Sequence, residues 1–240
     1  SHTTTGVAIV MDDLTERRKL EARTRYIRDV LMSYLAPQVA EQLLTDPQKL
    51  RLGGERRIVT TFFADIRGFT TFSEHLVPER LMDVLNSYLS RGAEAVFLQE
   101  GTLDKFQGDM VMAFFNAPVD QEDHALRAVR AALAMRADVE AYHRRVTSPY
   151  RLEFGVGINT GEAVVGNVGT AQIKNYTVIG DSVNLAKRLQ DNAGPNQILL
   201  GASTYELVKD KVQLKKLEQI QVKGRDAFER IFELIDIKSD

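Results

Sequence analysis

Residues 102–115 constrain this chain more than any other stretch. TLDKFQ and MVMAFF are two runs of strand-forming residues separated only by Gly108 and Asp109. So short a polar connection containing glycine predicts a tight β-hairpin, with the two runs side by side and antiparallel. Apolar periodicity then orders the elements around it. Residues 57–64 (RIVTTFFA) are β-branched and aromatic and read as a buried strand. Leu81, Val84, Leu85, Tyr88, Leu89 and Val96 fall at helical spacing within 74–99. Residues 121–145 form a long helix rich in alanine and arginine, and 152–159 and 162–168 read as strands on either side of Thr160-Gly161. A helix over 181–191, a strand at 197–201, a helix at 203–209 and strands around 212–222 and 228–236 complete the chain. The core order β-α-β-β-α-β predicts an α+β fold, the split-βαβ or ferredoxin-like palm. That fold hosts many activities, so function has to be argued from particular side chains.

Ahead of this domain, residues 6–12 (GVAIVMD) read as a single strand. Asp13 or Thr15 can cap the helix that follows, which extends to about Leu44. Leu20, Ile27, Leu31 and Tyr34 are spaced by 7, 4 and 3 residues, a heptad seam with Thr24 at the intervening position. The seam suits a coiled coil, or equally one amphipathic helix packing on its own domain. Pro37 interrupts the pattern, and TDPQ at 45–48 looks like the end of a second short helix. Residues 1–5 read as a frayed end, and the natural protein is expected to be longer.

Composition removes whole classes of function. None of the 240 residues is cysteine, which excludes disulfide scaffolds, thiol catalysis and cysteine metal sites and fits a reducing, cytoplasmic setting. With 31 basic against 33 acidic residues the net charge is −2, so there is no general attraction for nucleic acid. There is no run of 18 apolar residues and no basic-then-apolar leader, although further segments of a longer protein could tether it to a membrane. Function must lie in local constellations.

Four of these carry chemistry. In Phe63-Ala64-Asp65-Ile66-Arg67-Gly68-Phe69-Thr70 an acid ends a buried strand and a glycine turn opens towards a helix. Backbone N–H groups in such a turn can cradle phosphate, and the aspartate can hold Mg²⁺; alone, Asp65 is better explained as a turn cap. In Lys105-Phe106-Gln107-Gly108-Asp109 the acid sits at the hairpin tip. In a β-α-β-β order that hairpin neighbours the first strand, so Asp65 and Asp109 can share a pair of cations about 3.5–4 Å apart, the arrangement of two-metal phosphoryl transfer. In the segment 175–188, Asn184 and Arg188 stand at i and i+4 on one helix face, an amide and a guanidinium suited to a ribose and a phosphoryl group. Val222-Lys223-Gly224-Arg225 places two cations around a glycine.

FADIRGFT, KFQGD, TVIGDSVNLAKRL and VKG occur in an order and spacing that resembles the class III nucleotidyl cyclase catalytic domain, over roughly 54–236. YLAPQV at 34–39 and the stretch 45–57 ending in LGGERR look like the helical transducer of bacterial examples, and GVAIVMDDLTERRKLE is similar to the last strand of a PAS sensor running into a signalling helix. The resemblance divides the chain into a sensor strand at 1–14, a signalling helix and transducer at 15–53, and a cyclase domain at 54–240.

The resemblance implies a specific activity: cyclisation of ATP to 3′,5′-cyclic AMP and pyrophosphate. It implies that Asp65, Asp109 and the Ile66 carbonyl hold two Mg²⁺ or Mn²⁺ ions, and that Gly68, Phe69, Thr70 and Lys223 hold phosphates. Lys105 would donate to N1 of adenine, where guanylyl cyclases place an acid. Thr177, with Val178 beside it, stands where many adenylyl cyclases carry an aspartate, a departure that looks like class IIIb. That subgroup includes bicarbonate-responsive enzymes, which makes bicarbonate an expected activator. Asn184 would orient the ribose and Arg188 would serve the transition state. The family builds each site from two subunits, so a homodimer regulated by an upstream sensor is expected. The alternatives are a guanylyl cyclase, a degenerate cyclase-like regulatory or dimerisation module, or another two-metal nucleotidyl transferase on the same palm.

Overall fold

The computed structural model describes residues 16, 18–25, 39, 51–74, 76–146, 151–217, 220–221 and 228–238. The expected strand at 6–12, most of the heptad seam, the helix end at 45–48 and the VKG segment lie outside them. Residues 18–25 are helical and exposed.

The domain begins with β1 (Gly53–Ile66), followed by a short helix α1 (Phe69–Ser73) and the long α2 (Pro78–Leu98). The hairpin β2 (Thr102–Gln107) and β3 (Met110–Phe115) has the bounds its sequence predicts. Helix α3 (His124–Arg145) then leads into β4 (Phe154–Gly169), β5 (Lys174–Ile179) and α4 (Asp181–Asn192). The chain continues through β6 (Ile198–Gly201), α5 (Ala202–Val208), β7 (Val212–Lys216), β8 (Ile220–Gln221), β9 (Phe228–Glu229) and β10 (Ile231–Ile237). This is the expected α+β palm, its central sheet ordered β2-β3-β1-β4-β6-β10-β7 with β5 added along β4. β4 runs antiparallel to β1 and parallel to β6.

Strand periodicity decides what lies on each face. On β1, Phe62, Ala64 and Ile66 pack with Tyr88, Leu89 and Val96 of α2 and with the alanines of α3. The alternate residues Val59 and Phe63 face a second cluster containing Val183 and Ala186 of α4. On β3, Val111, Ala113 and Phe115 belong to the first cluster, and Met110, Met112 and Phe114 to the second. Both faces are covered, so these strands read as nearly unbroken apolar runs.

Two expectations are corrected. Thr160-Gly161 is not a turn, because β4 runs straight through it and pairs with β1 from Phe154 to Asn167. A Cβ on Gly161 would lie 2.7 Å from Ser182 Cβ, so this glycine answers a close approach by α4 rather than a change of chain direction. Residues 174–179, read only as part of a motif, form β5.

Candidate active site

The alternation that sends Phe62, Ala64 and Ile66 under α2 and α3 puts Asp65 on the α4 side, at the end of β1. Its register partner on β3 is Met110, the residue after Asp109. The hairpin tip therefore brings Asp109 beside Asp65. Burial pushes both carboxyls above the usual aspartate range, and the charge of Asp109 raises Asp65 further. Arg67 opposes this for both, its Nη1 lying 3.2 Å from Asp65 Oδ2. The same guanidinium donates from Nη2 to the Gln190 carbonyl, tying the end of β1 to α4.

The turn after Asp65 depends on Gly68, whose φ of 75° lies in the left-handed region that favours glycine. Phe69 and Thr70 open α1 directly after it. Ile66 is buried and pairs with Phe154. Two half-buried carboxylates that repel each other next to a strand-end carbonyl are hard oxygen donors, and they fit Mg²⁺ or Mn²⁺, which take one or two carboxylates plus substrate phosphates.

A second group forms where β2 meets β5. Lys105 Nζ lies 3.4 Å from Thr177 Oγ1, which joins the two residues expected to read a base. Thr177 Oγ1 in turn donates to Asp104 Oδ2 at 2.5 Å, and Lys105 Nζ lies 3.1 Å from Asp104 Oδ1 as an ion pair. The backbone N–H of Val178 also donates to this carboxylate. The Asp104 side chain has no solvent exposure, and burial holds its carboxyl above the usual range despite these three donors. Sequence reasoning missed Asp104. The only local signal is an acid placed immediately before the lysine.

Asn184 and Arg188 share one stripe of α4, beside the buried Val183, Leu185, Ala186 and Leu189. Asn184 is exposed and Arg188 half-buried. Among the described residues, neither side chain makes a hydrogen bond or ion pair with the Asp65–Asp109 group or the Lys105–Thr177 group. The structure thus brings the predicted residues into two clusters and leaves the helix pair separate. Lys223 lies outside the described residues.

An α+β palm with paired aspartates at adjacent strand ends, a lysine–threonine pair and a helical asparagine–arginine stripe is compatible with nucleotide phosphoryl chemistry. Residues 54–234 match the family described as the adenylate and guanylate cyclase catalytic domain, and the chain belongs to that family. Adenylate cyclase 1 of Rhizobium meliloti (strain 1021) is 33% identical over 238 residues, covering 95% of this chain and 35% of that protein. The crystal structure of the adenylyl cyclase CyaB from P. aeruginosa is 40% identical, with a TM-score of 0.74 over 79% of this chain and 99% of its own. That of the guanylyl cyclase Cya2 is 37% identical, also with a TM-score of 0.74, over 78% and 96%. The chain spans less than half the length of curated relatives such as that Rhizobium protein and the adenylate cyclase of Anabaena cylindrica, of which it covers 43%. An adenylyl and a guanylyl cyclase are thus about equally similar. The choice of base has to come from the site.

Proposed function

We propose that this domain is an adenylyl cyclase that converts ATP to 3′,5′-cyclic AMP and pyrophosphate. The observation that carries the choice of base is the convergence of Lys105 Nζ on Thr177 Oγ1. The adenine edge offers an acceptor at N1 and a donor at the 6-amino group, whereas guanine offers the opposite pair. A lysine can only donate and a threonine hydroxyl can accept, so the pair matches adenine. A GTP reading has the similarity to Cya2 in its favour, but it would set the lysine against the N1–H of guanine.

Asp65, Asp109 and the Ile66 carbonyl would hold two divalent cations. When bound, these supply a lowered hydroxyl pKa and neutralise the departing pyrophosphate. The chain's own residues orient and balance charge. Asn184 positions the ribose, Arg188 neutralises charge that builds at the α-phosphoryl group, and Lys223 with the Gly68–Phe69–Thr70 backbone retains the leaving phosphates. We assign residues 1–14 to the tail of a sensor, 15–53 to a signalling helix and transducer, and 54–240 to the catalytic domain, in a cytoplasmic setting. Among the described residues no helix is long and apolar enough to cross a membrane.

A homodimer with composite sites follows from having both sets of site residues on one chain in separate clusters. It is supported by an apolar strip on the sheet, where the register partners Val164 and Ile179 are 43% and 55% exposed. Leu20, a seam position of the N-terminal helix, is 67% exposed on the single chain. Bicarbonate is proposed as an activator on the strength of Thr177; activity unchanged by bicarbonate at fixed pH removes that part. The decisive assay compares cyclic nucleotide formation from ATP and GTP with Mg²⁺ and Mn²⁺. Selective cyclic AMP formation supports the reading, and equal or GTP-selective turnover overturns it.

A further inference from the structure

Asp104 occupies a place that a regular strand would not provide. On β2, Leu103 pairs with Ala113 and Lys105 with Met112, so the register shifts at Asp104 and leaves it as the extra residue of a bulge. Successive side chains of a regular strand point to opposite faces, and a bulge re-aims one of them. Here both Asp104 and Lys105 reach Thr177.

A threonine hydroxyl is ambidextrous, able to donate one proton and to accept at two lone pairs. Its contacts here remove that freedom. The proton goes to Asp104 Oδ2, and one lone pair faces Lys105 Nζ. What is left over is an acceptor. Lys105 is committed in the same way, with one donor towards Asp104 Oδ1 and one towards Thr177, and a third to spare. The side chain of Lys105 is 41% exposed, so the group remains open to a ligand on that side.

We propose that Asp104 is a positioning residue for base selection: as a buried acceptor it fixes the Thr177 hydroxyl proton inward, so that the hydroxyl can only accept from a purine. This rests on the adenine reading above. The Lys105 ammonium and the Val178 N–H keep Asp104 an acceptor, because neither can receive a proton from it.

The consequence is specific for Asp104→Asn. The new amide NH₂ cannot face Lys105 or the Val178 N–H, which are both donors. It must face Thr177, whose hydroxyl then accepts from it and turns its own proton outwards, the wrong sense for the adenine amino group and the right one for guanine O6. The expected result is a fall of about tenfold or more in the ratio of kcat/KM for ATP to that for GTP, the equivalent of one hydrogen bond misdirected. In a Thr177→Val background the same change leaves the ratio where Thr177→Val alone puts it, because no hydroxyl remains to be oriented. Loss of folded protein lowers both rates together and does not move the ratio. If Asp104→Asn is not recovered folded, Asp104→Ser removes the fixed acceptor with less bulk; its hydroxyl can donate or accept, so it frees the Thr177 proton rather than reversing it, and the ratio should fall in the same direction by less. An ATP:GTP ratio unchanged by either variant, while Lys105→Ala and Thr177→Val do change it, overturns the role of Asp104 and leaves the adenine reading standing. Base preference indifferent to Lys105→Ala and Thr177→Val overturns both.

Discussion

Asp109, proposed above as a cation-holding residue, is costly to the fold. Burial lifts its carboxyl above the usual range, so the ionised form is less favourable in the folded chain than in the unfolded one. Asp109→Asn should therefore leave the melting temperature unchanged or raised at neutral pH. Cyclase activity should fall by about 100-fold or more, as expected when charge stabilisation at a phosphoryl centre is removed. Parallel loss of stability and activity would make Asp109 structural. Two histidines, His124 half-buried and His143 buried, give the opposite pH signature. His124 Nδ1 meets Thr60 Oγ1 at 2.7 Å, and His143 Nε2 meets the Tyr88 hydroxyl at 2.8 Å. Burial depresses both, against the charges of Asp123 on His124 and of Glu153 on His143. With folded values below the unfolded value of about 6.5, their contribution to stability is complete above that pH and is lost as pH falls towards the folded values. Melting temperatures measured from pH 8 to pH 5 should fall across this window, and His143→Gln should flatten the slope. A slope unaltered by that variant assigns the effect elsewhere.

At the scale of elements, the site depends on how closely α4 lies on the sheet. A Cβ on Gly157 of β4 would collide with the α4 backbone at Gln190 N and Ala186 O and come within 2.8 Å of Gln190 Cα. Backbone cannot yield as a side-chain tip can. Gly157→Ala should cost about 1–3 kcal/mol or more through overpacking, read as a lower urea midpoint. It should also reduce activity beyond the loss of folded protein, because α4 carries Asn184 and Arg188. A midpoint within error of the original would show that α4 tolerates displacement. The same helix explains which elements were legible. β2 and β3 were readable because two residues between two β-prone runs leave no other local solution. β4 was misread at Thr160-Gly161 because glycine in isolation signals a turn, and nothing local reveals that Ser182 presses on that spot. The bulge that re-aims Asp104 was equally hidden, since a register shift is a property of two strands together.

At the scale of the molecule, the separation of the two site clusters on one chain predicts complementation. Asp65→Ala and Arg188→Ala should each be inactive alone. Mixed in equal amounts with subunit exchange verified, half the dimers are mixed and each holds one intact site of two, so roughly a quarter of the original activity should return. No recovery rules out composite sites. The sequence by itself determined the β-α-β-β-α-β order of the core, the carboxylates at two strand ends, the asparagine and arginine on one helical stripe and the lysine of the hairpin. These are set by spacing along the chain, through strand and helix periods that need no partner. The tertiary structure alone decided that burial lifts the Asp65 and Asp109 carboxyls, that β4 runs unbroken beneath α4, and that Asp104 underlies Lys105 and Thr177. Those facts depend on register and burial between segments up to 73 residues apart, as Thr177 is from Asp104, and no local pattern encodes them.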